Sequence, residues 1–310
     1  MPATNEFQVN TVTTGVQNDA TVAVLTSGNY VEAWIDTQTA TLQARLFNSS
    51  GTPIINGTTA TTGQFQVNDN NDAPANVAVS ALPDGGFLVV SVRQQLSGPN
   101  AGQQTIDAYR FNAAGVVQGS FIPVSANGTN DAPSIPSVDV FADGSFVVVW
   151  ENVNFTTPPN GTSEIFAQRF NALGQPVHQD GTTAGLQNFV VNSTTAGNQD
   201  SPDVTALSNG NFVVTWGSLT QDGDGSAGTF YRVYNSAGAQ VHAETEVNTF
   251  TTGSQEFGSV AALTGGGFAI SWSSSNEVSG SSSQDIYVRL FDASGNPTSA
   301  EILVNTVTAG

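Results

Sequence analysis

The chain has 310 residues, no cysteine, no lysine, and six arginines against 25 carboxylates, for a net charge of −19. That charge repels nucleic acid and anionic lipid and excludes both as direct partners, and the missing thiols exclude disulfides, cysteine nucleophiles and cysteine metal sites. With 38% hydrophobic residues and no apolar run near the ~20 residues of a membrane span, the sequence reads as a folded chain, either two ordinary domains or one large all-β domain.

The N-terminus, "MPATNEFQVN", carries no apolar signal-peptide region. The acidic, lysine-free, Thr/Asn/Gly-rich composition nonetheless fits an extracellular or cell-surface bacterial protein. Residues 6–12 hold a first short apolar segment, "FQVN". From there four segments recur in fixed order.

The first segment is "TVAVL", "NVAVSAL", "SVDVF", "DVTAL" and "SVAAL", ending at Leu25, Leu82, Phe141, Leu207 and Leu263, 57, 59, 66 and 56 residues apart. Turns such as "PDGG" and "SNGN" lead into the second segment: "YVEAW", "FLVVS", "FVVVW", "FVVTW", "FAISW". The third runs "LQARLF", "IDAYRF", "IFAQRF", "TFYRVY", "IYVRLF" and closes on "NSSG", "NAAG", "NALG", "NSAG", "DASG". The fourth is "FQVN", "FIPV", "FVVN", "TEVN", "ILVN".

Each segment is β-branched and aromatic and is bounded by Gly, Asn or Asp, the signature of strands joined by hairpins. No helical period of useful length occurs. Four antiparallel strands repeated five times predict a single five-bladed β-propeller with almost no helix. Its blades span about 16–68, 69–127, 128–192, 193–248 and 249–305, and residues 6–12 are a spare or closing strand.

Trp34, Trp150, Trp216 and Trp272 fall at one place in the second strands, with Ser91 there in blade 2. Their repetition favours a buried blade-to-blade position over an aromatic sugar platform. Arg45, Arg110, Arg169, Arg232 and Arg289 fall once per third strand and are expected to pair with blade polar groups or carboxylates. Only Arg93 lies outside that pattern, which leaves no cation for a phosphate or nucleic-acid site.

The pattern "VNxxTxGxQ…PxVAxLxxGxFVVxWxSxxQDGxG…AQRFNAxG", clearest over "VVNSTTAGNQDSPDVTALSNGNFVVTWGSLTQDGDG", resembles a repeat of very large secreted bacterial adhesins of the RTX-associated, cadherin-like type. The likeness spans residues 7–305. It implies a secreted or surface location, a large modular parent and calcium dependence. The glycine-rich calcium nonapeptides of RTX β-rolls are not present, so that calcium site is not implied.

Strand parity places the strand 4→1 and 2→3 loops on one side of the blades. The 2→3 loop "SLTQDGDGSAG" offers Asp222, Asp224 and Gln221 as oxygen ligands for Ca²⁺, or is a plain glycine turn. Ahead of the innermost strands stand Asp19, Asp72, Asp131, Asp200 and Glu256. They suggest an acidic ring at an axial mouth bridged by a cation; the competing reading has each acid capping its own loop in an Asx-turn.

Catalysis finds little support in the sequence. Asp139, Asp203, Glu32 and Glu151 occupy different repeat positions and form no evident set. His178 and His242 share one repeat position and read as a tolerated surface site. The expectation is therefore no enzyme, but a non-catalytic extracellular binding or adhesion module with a glycan or protein ligand on the loop-rich face.

Two alternatives stand beside it. In one, the chain is a structural subunit that self-associates by strand exchange, because "EFQVNTVTTG" at 6–15 nearly repeats as "EILVNTVTAG" at 301–310. The other is a glycan-active propeller hydrolase, which needs two carboxyl groups about 5–9.5 Å apart.

Overall fold

The computed structural model describes residues 6–55, 62–68, 72–97, 101–125, 131–154, 161–178, 186, 188–275 and 284–306, and these contain no helix. Blade 1 is formed by β1 (Gln17–Val24), β2 (Tyr30–Asp36), β3 (Thr41–Phe47) and β4 (Gln64–Gln66). Blade 2 follows with β5 (Asp72–Ala81), β6 (Phe87–Gln95), β7 (Gln104–Phe111) and β8 (Ile122–Pro123). Blade 3 has β9 (Asp131–Val140), β10 (Phe146–Asn154), β11 (Thr162–Phe170), β12 (Pro176–Val177) and the short β13 (Phe189–Val190), which also pairs with β11. Blade 4 comprises β14 (Gln199–Ala206), β15 (Phe212–Leu219), β16 (Ala227–Tyr234) and β17 (Gln240–Glu246). Blade 5 comprises β18 (Gln255–Ala262), β19 (Phe268–Ser275), β20 (Gln284–Phe291) and β21 (Ile302–Leu303).

Every sheet is an antiparallel meander in chain order, and together they are the blades of a five-bladed β-propeller. The chain divides into two compact units, residues 1–102 with 107–122, and residues 103–106 with 123–310. Blades 1 and 2 make up most of the first unit, and blades 3, 4 and 5 belong to the second.

The turns explain why the sheets repeat so closely. Between first and second strands the chain reverses through a Leu or Phe carbonyl that accepts from a glycine N–H three residues on, as in Gly28→Leu25, Gly85→Leu82, Gly144→Phe141, Gly210→Leu207 and Gly266→Leu263. Those glycines have φ of 82–93°, a region that L side chains adopt at a cost. Between third and fourth strands, Asn48, Asn112, Asn171, Asn235 and Asp292 each accept two backbone N–H groups on one side-chain oxygen.

A stacked aromatic pair sits beside each pair of turns. Tyr30–Phe47, Phe87–Phe111, Phe146–Phe170, Phe212–Tyr234 and Phe268–Phe291 have ring centroids 4.7–5.1 Å apart. Such cross-strand pairs fix register as well as adding contact energy.

The core lies between neighbouring sheets within each unit. In the second unit, Val147, Val149 and Ile165 of blade 3 pack against Val204, Phe212 and Trp216 of blade 4. Val213, Tyr231 and Val233 of blade 4 then meet Phe268, Ile270 and Trp272 of blade 5. The four tryptophans, at 0–4% exposure, are core residues and not a sugar platform. Trp34 and Trp216 donate their Nε1–H groups to Gln17 and Gln199 at 3.0 and 3.1 Å.

Arginine staples tie one blade to the strand before it. Arg232 donates to the Val191 carbonyl, Arg289 to Val247 at 2.8 Å, and Arg45 to Val9 at 2.6 Å. Val9 belongs to the N-terminal "FQVN" copy, so that segment docks on blade 1 as the outer strands of blades 3 and 4 dock on their successors. The acceptors are mostly carbonyls. Arg110 instead pairs with Asp84 at 2.8 Å, and Arg93 with Asp72 and Asp107.

The histidines do not behave as a tolerated surface pair. His178 is buried. His242 stacks on Tyr231 with centroids 5.4 Å apart, and its Nε2 lies 3.2 Å from the Tyr231 hydroxyl.

Candidate active site

All five first strands share one irregularity. Their pairing with the second strand slips between Asn18 and Thr21, Ala75 and Val77, Ser134 and Ser137, Asp200 and Asp203, and Glu256 and Ser259. Each slip holds a non-glycine residue at positive φ: Asp19 (52°), Asn76 (46°), Ile135 (47°), Ser201 (50°) and Phe257 (59°). A bulge of this kind re-aims the side chains beside it, and positive φ at an isoleucine or phenylalanine stores strain.

In the second unit, β9, β14 and β18 lie side by side, so the bulges of three neighbouring blades meet. Glu151, directly after Trp150 in β10, pairs in register with Ser134. Burial raises its pKa above the usual carboxylate range, the Asp200 charge raises it further, and the Ser201 backbone offsets part of the effect. Asp200 is exposed, but the protein around it raises its pKa too, and Glu256 adds to that shift. Glu151, Asp200 and Glu256 thus form a chain of like charges across blades 3, 4 and 5.

The local sequence makes room for this arrangement. Asp200 is paired with Gly217, where a Cβ would stand 2.5 Å from Asp200 Oδ1. Blade 3 has Glu151 at the same repeat position and blade 5 has Ser273. Beside Glu256 the strained Phe257 is 66% exposed, a large apolar ring turned to solvent next to polar groups.

The other acids have different work. Asp203 accepts from the Ser137 hydroxyl at 2.8 Å, the Ser259 hydroxyl at 3.0 Å and the Val260 N–H at 2.9 Å, joining blades 3, 4 and 5. Asp139 accepts from Ala206 N–H at 2.8 Å and from the Thr205 hydroxyl at 3.3 Å. Both are clamps between first strands. Glu32, in blade 1, has its pKa raised by burial and lines a cleft of about 120 Å³ with Trp34 and Gln17.

The suggested ring of Asp19, Asp72, Asp131, Asp200 and Glu256 does not form from equivalent positions. These acids lie within the first strands and not in the loops before them, because each strand continues past its bulge. Asp19 is a bulge residue itself and accepts from Asn76 N–H at 3.3 Å. Asp72 is buried and ion-paired to Arg93 at 3.3 Å. The Asp131 side chain lies outside the described residues. The five fall at three repeat positions: Asp72 and Asp131 open their strands four residues before the bulge residue, Asp200 and Glu256 stand directly before it, and Asp19 is that residue.

The "QDGDG" loop satisfies itself. Asp224 accepts from Gly253 N–H at 2.9 Å and from Ser226 N–H at 2.8 Å; these bonds and the Ser226 hydroxyl, the largest cause, bring its pKa down to about 2. Asp222 accepts from the Ser226 hydroxyl at 2.8 Å. Gln221 bridges Ser218 and Glu244, both at 2.7 Å. Among the described residues no three Asp, Glu or His side chains converge as a metal site would require. Much of the 2→3 loop set expected to carry a ligand (98–100, 155–160 and 276–283) lies outside the described residues.

No protein-family model matches this sequence, and no curated protein matches it. Solved structures do share the fold. A protein of unknown function from Dyadobacter fermentans is similar with a TM-score of 0.60 and 12% identity, over 94% of this chain and 83% of that one. The Penicillium chrysogenum α-L-arabinanase, in complex with arabinobiose, is similar with a TM-score of 0.53 and 14% identity, over 92% and 80%. A thermostable family-43 glycoside hydrolase is similar with a TM-score of 0.52 and 10% identity, over 96% of both chains.

These likenesses correct the expectation of a non-catalytic adhesion module without enzymatic activity: the arabinanase and the family-43 glycoside hydrolase are enzymes. At such identities the comparison establishes the fold, a five-bladed β-propeller, and the adhesin resemblance is supported only in that respect.

Proposed function

We propose that this protein is a glycan-active β-propeller that hydrolyses glycosidic bonds at the bulges of blades 3, 4 and 5. The observation that carries the reading is the meeting of Glu151, Asp200 and Glu256 at the adjoining bulges of three neighbouring first strands, where burial foremost and then the neighbouring charge raise the pKa of the first two. Glycoside hydrolysis needs one carboxyl group that keeps its proton and one that is ionised.

Glu151 is the acid. Its proton passes to the leaving glycosidic oxygen as the bond breaks. Asp200, open to solvent and held over Gly217, is the base that takes a proton from the attacking water. Phe257 offers an apolar face on which a sugar ring can stack. The similar arabinanase and family-43 hydrolase make arabinose-containing plant polysaccharide the first substrate class to test. Such a polymer suits a secreted or cell-surface protein.

The test is release of reducing sugar from arabinan by the purified chain. Release that disappears in both Glu151→Gln and Asp200→Asn, with folding intact, supports the assignment. Undiminished release from both variants rejects it.

A further inference from the structure

Arg169 breaks the pattern of its repeat. In blade 2 the equivalent Arg110 stands, like Arg169, one residue before the phenylalanine that ends the third strand, and it pairs with Asp84 at 2.8 Å. Asp143 holds the same turn position in blade 3, but there the turn residue matching Gly86 is Ser145. The Asp143 Oδ1 atom accepts both the Ser145 hydroxyl and its N–H, the latter at 2.9 Å.

The Nε and Nη1 atoms of Arg169 are buried without a hydrogen-bond partner. Burial lowers the pKa of this guanidinium, and the Asp143 charge restores only part of the loss. A buried donor left unpaired is destabilising, so the side chain is poised to gain from an acceptor.

Arg169 is among the residues lining a groove of about 530 Å³ between the turn ends of blades 3 and 4, within the usual range for small-ligand sites. Ser145, Ser208, Asn209 and Ser236 also line it, offering hydroxyl and amide groups suited to sugar hydroxyls. The first-strand bulges lie at the opposite strand ends of the same blades, so this groove is separate from the Glu151–Asp200 cluster.

We infer that the groove is a binding site for an acidic saccharide, with Arg169 turning its planar fork onto the carboxylate of a uronic acid unit. Arginine binds carboxylates in this bidentate manner. The saccharide part of the inference rests on the glycan reading above, whereas the carboxylate part rests on Arg169 alone. Asp143, beside the guanidinium, opposes a bound anion and sets its affinity.

The test is calorimetric titration of the full chain with trigalacturonate, with arabinotriose and acetate as the neutral and sugar-free arms. Trigalacturonate is expected to bind, Arg169→Gln to weaken it at least tenfold, and Asp143→Asn to tighten it. Ser236→Trp blocks the groove without touching the guanidinium, so it reports even if the arginine variant fails to fold.

No binding of trigalacturonate, or equal binding by wild type and Ser236→Trp, would overturn the inference. Acetate binding as tightly as the uronide would overturn its saccharide part. Loss of arabinan hydrolysis with trigalacturonate binding intact would count against the proposed function and not against this site.

Discussion

Gly217 and Asp200 face one another across the β14–β15 pair, and the missing side chain at 217 is what leaves space for the Asp200 carboxylate, whose Oδ1 would be only 2.5 Å from a Cβ there. Gly217→Ala is therefore expected to push the carboxylate aside. A misplacement of about 1 Å can cost roughly 100-fold in rate, and the loss should appear in kcat more than in KM. Steady-state kinetics on arabinan with a melting curve alongside checks it. An unchanged kcat would mean that Asp200 does not act where it stands.

The coupled acids give a signed pH dependence. Activity should fall as pH rises through the raised pKa of Glu151 and as it drops below the raised pKa of Asp200. Glu256→Gln removes the charge that raises Asp200 and should move the acid limb to lower pH. Asp200→Asn removes the charge that raises Glu151, and an NMR titration of that variant should find Glu151 titrating lower.

Stability follows the same shifts. A carboxyl group whose folded pKa lies above its unfolded value contributes stability below the unfolded pKa, and the contribution is lost as pH rises through the folded pKa. Above that raised pKa an ionised Glu151 therefore costs stability. Glu151→Gln is expected to gain in melting temperature over wild type as pH rises through the Glu151 titration and to lose that advantage in acid.

Phe257 combines exposure with φ of 59°. Left-handed backbone costs an L residue about 1–2 kcal/mol, so Phe257→Gly should be more stable by about 1 kcal/mol after glycine's own chain entropy is counted. If the ring serves a sugar, the same variant binds arabinan more weakly. Greater stability with unchanged binding would show that the ring is not used.

Asp203 joins the first strands of three blades through three accepted hydrogen bonds. Asp203→Ala should destabilise the protein by about 2–4 kcal/mol, and Trp216→Ala, which empties a fully buried position, by about 3–5 kcal/mol. Chemical unfolding measures both. A near-neutral Asp203→Ala would show that the clamp is dispensable.

The blades were legible in the sequence because their signals are local. Gly28 and its four equivalents stand at fixed offsets, and the aromatic pairs such as Phe146–Phe170 bracket them. The bulges were not legible: their positive-φ residues are Asp, Asn, Ile, Ser and Phe, which have no side-chain property in common, and isoleucine and phenylalanine argue against such a backbone.

The candidate site stayed hidden for a related reason. Glu151 comes from a second strand and Asp200 from a first strand, so repeat alignment separates two residues that neighbouring blades bring together. The arginine repeat was visible, but the burial of Arg169 Nε and Nη1 without a hydrogen-bond partner arises only in three dimensions.

The most direct measurement is the hydrolysis of arabinan by wild type, Glu151→Gln and Asp200→Asn at pH 6, with melting curves for all three. The account predicts sugar release by wild type, a loss of at least 100-fold in each variant, and variants that melt no lower than wild type. Release that survives both substitutions, or no release by a folded wild-type protein, would contradict it.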